Sequence, residues 1–147
     1  MAGIIAATIA TLILIGFWIK SRLDRRKLEE HSITPEGLHN LLDSRGDVLV
    51  FDVRQPLDLL ADSEIIPGAT RLAPKEVIEN PSLIPREKDS IVYCTCPSDE
   101  TARSILNRAL ALKFFRVKFL KGGLAAWKAK GYPVEPYNKP FQLDHGN

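Results

Sequence analysis

Ser90-Ile91-Val92-Tyr93-Cys94-Thr95-Cys96-Pro97-Ser98-Asp99-Glu100 joins a short apolar run to two thiols and a polar loop. A run as apolar as SIVY on both faces fits a strand buried in a parallel sheet. From about Asp99 to Lys113, Ala102, Ile105, Leu106, Ala109, Leu110 and Leu112 recur at helical spacing. The unit is therefore strand, loop, helix. In an open α/β sheet, ligands sit outside the carboxyl ends of the strands, where loop amides and the next helix N-terminus favour an anion. A thiol placed there has a lowered pKa, and the thiolate is the nucleophile.

The same alternation continues on either side. Upstream, Ser32-Ile33 reads as a short opening strand. Thr34 is a helix N-cap and Pro35 a first helical position for a helix through Leu38, Leu41 and Leu42, ended by Gly46. Val48 to Asp52 (VLVFD) is a second buried parallel strand. A short helix over Pro56–Leu60, a turn at Ile65–Ala69 into a strand over Thr70–Leu72, and a helix from Pro74 through Val77 and Ile78 follow. Downstream, Val117–Leu120 is the last strand, Gly122-Gly123 a turn, and Leu124–Lys130 a helix closed by Gly131. The alternation predicts an α/β domain. The polar, Pro-containing segment 136–147 reads as a flexible tail.

The N-terminus has a different character. Ala2 to Ile19 carries no charge and no proline, and as a helix would cover roughly 27 Å, enough for a bilayer core. Trp18 sits at its end, and Lys20, Arg22, Arg25, Arg26 and Lys27 follow with only Asp24 between them. A cleaved signal peptide carries its positive charges before the apolar run. The reading is an uncleaved anchor over 1–20, a basic juxtamembrane stalk over 21–31, the folded domain over 32–135, and the tail. The basic flank predicts a single-pass membrane protein with the domain on the cytoplasmic side, and it can also meet anionic lipid headgroups.

The chain has 147 residues and a formal net charge of +2, which allows one domain with a real core and gives no argument for a nucleic-acid partner. Two cysteines one residue apart cannot staple distant parts of a fold, and with three scattered histidines they do not make a structural zinc site. They fit a reducing compartment.

Cys94 is the candidate nucleophile because it directly follows the strand, although a buried structural cysteine is the plainer alternative. Cys96 is an accessory thiol that could resolve an oxidised or sulfur-loaded Cys94, or be the nucleophile itself if the loop begins later. Thr95, Pro97, Ser98, Asp99, Glu100 and Thr101 complete the loop. Asp99 and Glu100 fall where carboxylates cap a helix, and their charge opposes that helix's dipole at Cys94. Arg103, one turn on, could compensate. Asp52 and Arg54 end the VLVFD strand on the same side of the sheet, as an ion pair, as braces of a loop, or as substrate contacts.

The FDVR strand (Phe51–Arg54), the IPGAT turn (Ile66–Thr70), VYC (Val92–Cys94) and LKGGLAAWKAKGYPV (Leu120–Val134) together resemble a rhodanese-like domain. The resemblance spans about Ser32 to Glu135. It implies a three-layer α/β domain around a central five-stranded parallel sheet. It also implies that Cys94 takes a sulfane sulfur from thiosulfate or a persulfide and passes it to cyanide or a thiol, with loop amides stabilising the persulfide. No metal or organic cofactor is implied. The loop departs from the family pattern: TCPSDETARS after Cys94 is longer and lacks a glycine, with Arg103-Ser104 as a displaced echo of the usual Arg-Ser pair. A Cys-x5-Arg phosphatase is excluded, since no arginine stands six residues after either cysteine.

Three functions are thus in view. The first is a membrane-anchored thiosulfate or persulfide sulfurtransferase with a thiol acceptor, working beside a membrane-protein partner. The second is an inactive rhodanese-fold binding or regulatory module at the membrane. The third is a redox or soft-metal site built on Cys94 and Cys96.

Overall fold

The computed structural model describes residues 2–44, 46–95 and 100–140. The chain divides after His31 into two compact units. The first is one continuous helix, α1 (Ala2–Glu30), 29 residues long. It is long and apolar enough to cross a membrane. Its large apolar side chains from Ile5 to Ile19 are exposed, Phe17 at 74% and Leu12 at 68%. The helix does not break where the sequence turns basic: His31 N–H still donates to Lys27 O.

In the second unit β1 (Ser32–Ile33) leads into α2 (Pro35–Asp43), β2 (Val48–Asp52), α3 (Pro56–Ala61), β3 (Glu64–Ile65), β4 (Thr70–Arg71) and α4 (Pro74–Glu79). A 3-10 turn at Pro81–Leu83 precedes β5 (Asp89–Tyr93), α5 (Glu100–Ala111), β6 (Val117–Leu120), α6 (Gly123–Ala129) and β7 (Glu135–Pro136). Five strands form one parallel sheet in the order β1-β6-β5-β2-β4. The α/β fold with a central five-stranded parallel sheet expected from the sequence is the fold observed.

Period-two alternation along the strands separates the two faces of this sheet. Val50, Ile91, Tyr93 and Leu120 pack with Leu38 of α2 and with Leu124 and Trp127 of α6. Phe51, Val92 and Phe119, also buried, face the opposite layer, where α4 and α5 pack together and bury Val77, Ile105, Leu106 and Ala109. The LKGGLAAWKAKGYPV stretch packs around its tryptophan. Trp127 is 1% exposed, donates from Nε1 to Pro133 O at 2.8 Å, and packs on Tyr132, which stacks on His39 of α2 at 4.2 Å.

The structure departs from the expected boundaries at the ends of α2 and α5 and at Pro136. Thr34 caps α2 as expected, its Oγ1 accepting from Gly37 N–H. That helix nevertheless ends at Asp43, and Gly46 N–H folds back to Leu41 O. α5 stops at Ala111 rather than Lys113. Lys113 takes a left-handed φ of 63°, while Lys113 N–H and Phe114 N–H donate to Leu110 O and Ala109 O, a Schellman ending without its usual glycine. Pro136, expected to open the tail, lies in β7, paired antiparallel with β3, and Tyr137 N–H donates to Ser63 O; residues 141–147 lie outside the described residues. The β3–β7 ribbon, two residues per strand, carries too little alternation to be read from sequence.

Candidate functional site

Cys94 stands at the end of β5, the central strand. Register places Asp52 of β2 opposite Tyr93, and Val53 N–H donates to Tyr93 O, so the two chains leave the sheet side by side. Cys94 is 4% exposed. Its carbonyl accepts from Leu124 N–H at 2.9 Å, which ties the strand end to the first turn of α6. That turn needs both its glycines. Gly122 and Gly123 have φ of 71° and 57°. A Cβ on Gly123 would lie 2.1 Å from Cys94 O, and one on Gly122 would lie 2.6 Å from Ala126 Cβ. The sequence marked this pair as a turn and missed that it is the wall against which residue 94 is seated.

Asp52 and Arg54 are both fully buried. Arg54 Nε donates to both carboxylate oxygens of Asp52 at 3.0 and 2.9 Å, and Nη2 donates to Oδ2 at 2.6 Å. The same guanidinium donates to Asp62 O and Glu64 O, spanning from β2 to the start of β3. Burial works against this charge, but the hydrogen bonds and charge of Asp52 outweigh it and raise the Arg54 pKa. Tyr93 completes the cluster, donating to Asp52 Oδ2 at 3.2 Å and accepting from Ile66 N–H at 3.2 Å. Burial, and then the Asp52 charge, push its phenol pKa up. Among the three readings of Asp52 and Arg54, this geometry is that of a braced ion pair facing inward.

Arg71, at the end of β4, hydrogen-bonds through Nη1 to Asp52 O and Leu72 O. Burial lowers its pKa. Asp62 meets Lys128 of α6 at 2.6 Å, and Lys128 also reaches Glu64 at 2.5 Å.

A cleft of about 480 Å³ opens between α4 and the start of α5, lined by Gln55, Pro74, Lys75, Ile78, Glu79, Thr101 and Ser104. Gln55 follows β2, Pro74 and Lys75 follow β4, and Thr101 follows the loop after β5. The cleft therefore lies at the carboxyl end of the sheet, where Cys94 also sits. Lys75, Gln55 and Glu79 were not singled out from sequence, because exposed polar residues on short helices carry no pattern of their own. Arg103 is on the exposed side of α5. Thr95 is half-buried in the bend after Cys94. Cys96, Pro97, Ser98 and Asp99, with the side chain of Glu100, lie outside the described residues.

Residues 34–130 match the family model described as Rhodanese-like domain. A sulfurtransferase of Allochromatium vinosum is 31% identical over 106 residues, covering 71% of this chain and 94% of that protein. Among solved structures, the rhodanese-like domain of an Anabaena protein is 27% identical with a TM-score of 0.62, covering 80% of this chain and 89% of that one. A full-length protein from Lactobacillus plantarum, 21% identical, shares the fold with a TM-score of 0.66 over 80% of this chain and 97% of that one.

Proposed function

The chain belongs to the rhodanese-like family, and from that membership we propose that it is a membrane-anchored sulfurtransferase carrying sulfane sulfur on Cys94. The observation that carries this reading is the seat of the thiol: Cys94 ends the central parallel strand, is held through its carbonyl by the Gly122-Gly123 turn and Leu124, and lies at the same end of the sheet as the cleft. The positive end of α5, a 12-residue helix, follows that loop and favours an anionic sulfur.

In the first step the Cys94 thiolate attacks the outer sulfur of thiosulfate. A new S–S bond forms, the old one breaks, and sulfite leaves with the bonding pair. Cys94 then carries a persulfide anion. An acceptor thiolate attacks its outer sulfur, forming the acceptor persulfide and returning the Cys94 thiolate. The cleft exceeds what thiosulfate needs and offers Lys75, Gln55 and Thr101 to a larger anionic donor or acceptor such as a peptide thiol. Cys96 is placed by sequence to take sulfur from Cys94. Asp52 and Arg54 act by bracing the chain beside Cys94, without touching substrate. The apolar helix α1 holds the domain at a membrane, with the basic flank on the cytoplasmic side.

The test is intact-mass analysis of the full chain in detergent after incubation with thiosulfate or glutathione persulfide, with Cys94→Ser and Cys96→Ser in parallel. A gain of one sulfur, about 32 Da, lost only in Cys94→Ser supports the assignment. Loss only in Cys96→Ser moves the nucleophile. No uptake from either donor favours the second reading, a membrane-tethered binding module, to which the glycine-free acidic loop would be suited.

A further inference from the structure

We infer that the hydroxyl of Thr95 is the donor that holds the outer sulfur of a Cys94 persulfide, an inference that rests on Cys94 being the sulfur carrier. Thr95 Oγ1 is shielded from solvent and has no hydrogen-bond partner among the described residues. A hydroxyl that has given up water without replacement costs stability, and such an orphan in a folded protein calls for a chemical reason. Tyr93, two residues earlier, shows the contrast, with its own hydroxyl both donating and accepting. One other buried side-chain polar atom among the described residues lacks a partner, Arg71 Nε. That atom belongs to a guanidinium already anchored by two carbonyls and separated from β5 by β2. Thr95 alone of the two is next to Cys94 in the chain.

The backbone that carries this hydroxyl is packed. The Gly123 turn packs against this stretch of backbone, a Cβ there lying 3.5 Å from the Thr95 carbonyl carbon. Residue 95 lies in a bend, so the strand rule that sends successive side chains to opposite faces no longer separates it from Cys94. Sulfur transfer creates the acceptor that the hydroxyl lacks. When sulfite leaves, one negative charge remains on the outer sulfur, one bond further from the backbone than the thiolate was. A neutral O–H can stabilise that anion without adding a charge that would also hold sulfite, and its cost to the unloaded protein is offset only in the loaded state.

Thr95→Val removes the hydroxyl and keeps the β-branched shape, while Thr95→Ser keeps the hydroxyl. The full chain in detergent is loaded from thiosulfate and freed of donor. Persulfide decay is then followed by intact mass, alongside the melting temperature and the pH titration of thiolate absorbance. Thr95→Val should melt no lower than wild type, yet lose its sulfur roughly tenfold faster, the size expected for a hydrogen bond to an anion. Thr95→Ser should keep the wild-type lifetime. Equal lifetimes in wild type and Thr95→Val overturn the inference alone. So does a lower melting temperature in Thr95→Val with a lifetime that Ser does not restore. No uptake by wild type, or uptake that survives Cys94→Ser, instead overturns the Cys94 assignment beneath it.

Discussion

The hydroxyl of Tyr93 is held from both sides, by the Asp52 carboxylate and by the Ile66 amide, so its removal leaves a buried N–H without an acceptor. Tyr93→Phe should therefore cost about 1–3 kcal/mol, measured by urea unfolding of the full chain in detergent. The phenol reaches from the end of β5, the strand that leads into Cys94, to the IPGAT turn at Ile66. Little of this was legible from the residues themselves. Asp52 and Arg54 could be placed at the carboxyl end of a strand by its apolar run, but whether they turn inward or toward a ligand depends on partners that sequence spacing does not give. Those partners are the Asp62 and Glu64 carbonyls, backbone atoms with no residue-type signature. Cys94 was legible for the opposite reason. Its place depends only on where an apolar strand ends.

The elements that frame the site were read well where the chain punctuates them and poorly where it does not. Thr34-Pro35, Pro74 and Gly131 mark ends that the structure keeps. α5 was overrun by two residues because its left-handed stop is a lysine. The Gly122-Gly123 turn gives a sharp test: Gly123→Ala adds a Cβ 2.1 Å from Cys94 O at a positive φ, and one of the two chains must move. The expected loss is about 2–4 kcal/mol of stability together with sulfur loading, read by urea unfolding and intact mass. A second test belongs to the contact between α6 and the loop before β3. Burial opposes the charge of Asp62, but the Lys128 hydrogen bond and charge, with the Glu64 amide, outweigh it and hold the carboxyl below its ordinary 3.8. A depressed carboxyl contributes stability above its unfolded pKa and loses that contribution as pH falls through the folded value. Acid should thus weaken the domain below about pH 4, and Lys128→Met should flatten that acid limb. Because the pair is about one-third exposed, the effect at pH 7 should stay within about 1 kcal/mol. Urea midpoints from pH 2 to 7 would read both.

At the scale of the whole molecule, the chain joins a domain that buries its apolar residues to a helix that exposes them. Leu12, Ile13, Leu14, Phe17 and Trp18 are each more than half exposed along α1. Each such side chain forgoes roughly 1.5–3 kcal/mol by staying in water, so a helix this apolar on every side requires either lipid or a protein surface around it. If lipid is what surrounds it, two kinds of association would answer differently to salt. Five basic residues within Lys20–Lys27 could by themselves adsorb a protein to anionic headgroups, at about 1 kcal/mol each, and salt would reverse that. A spanning helix is held by apolar transfer, which salt does not weaken. The full chain expressed in cells should therefore stay with the membrane fraction through 1 M salt, on the order of ten times the ionic strength that gives a 10 Å screening length, and through alkaline carbonate. Replacing Leu12, Ile13, Leu14 and Ile15 with aspartate should release it to the soluble fraction. Release of the unaltered chain by salt alone would instead make the basic stalk the anchor and α1 a helix that some other protein covers.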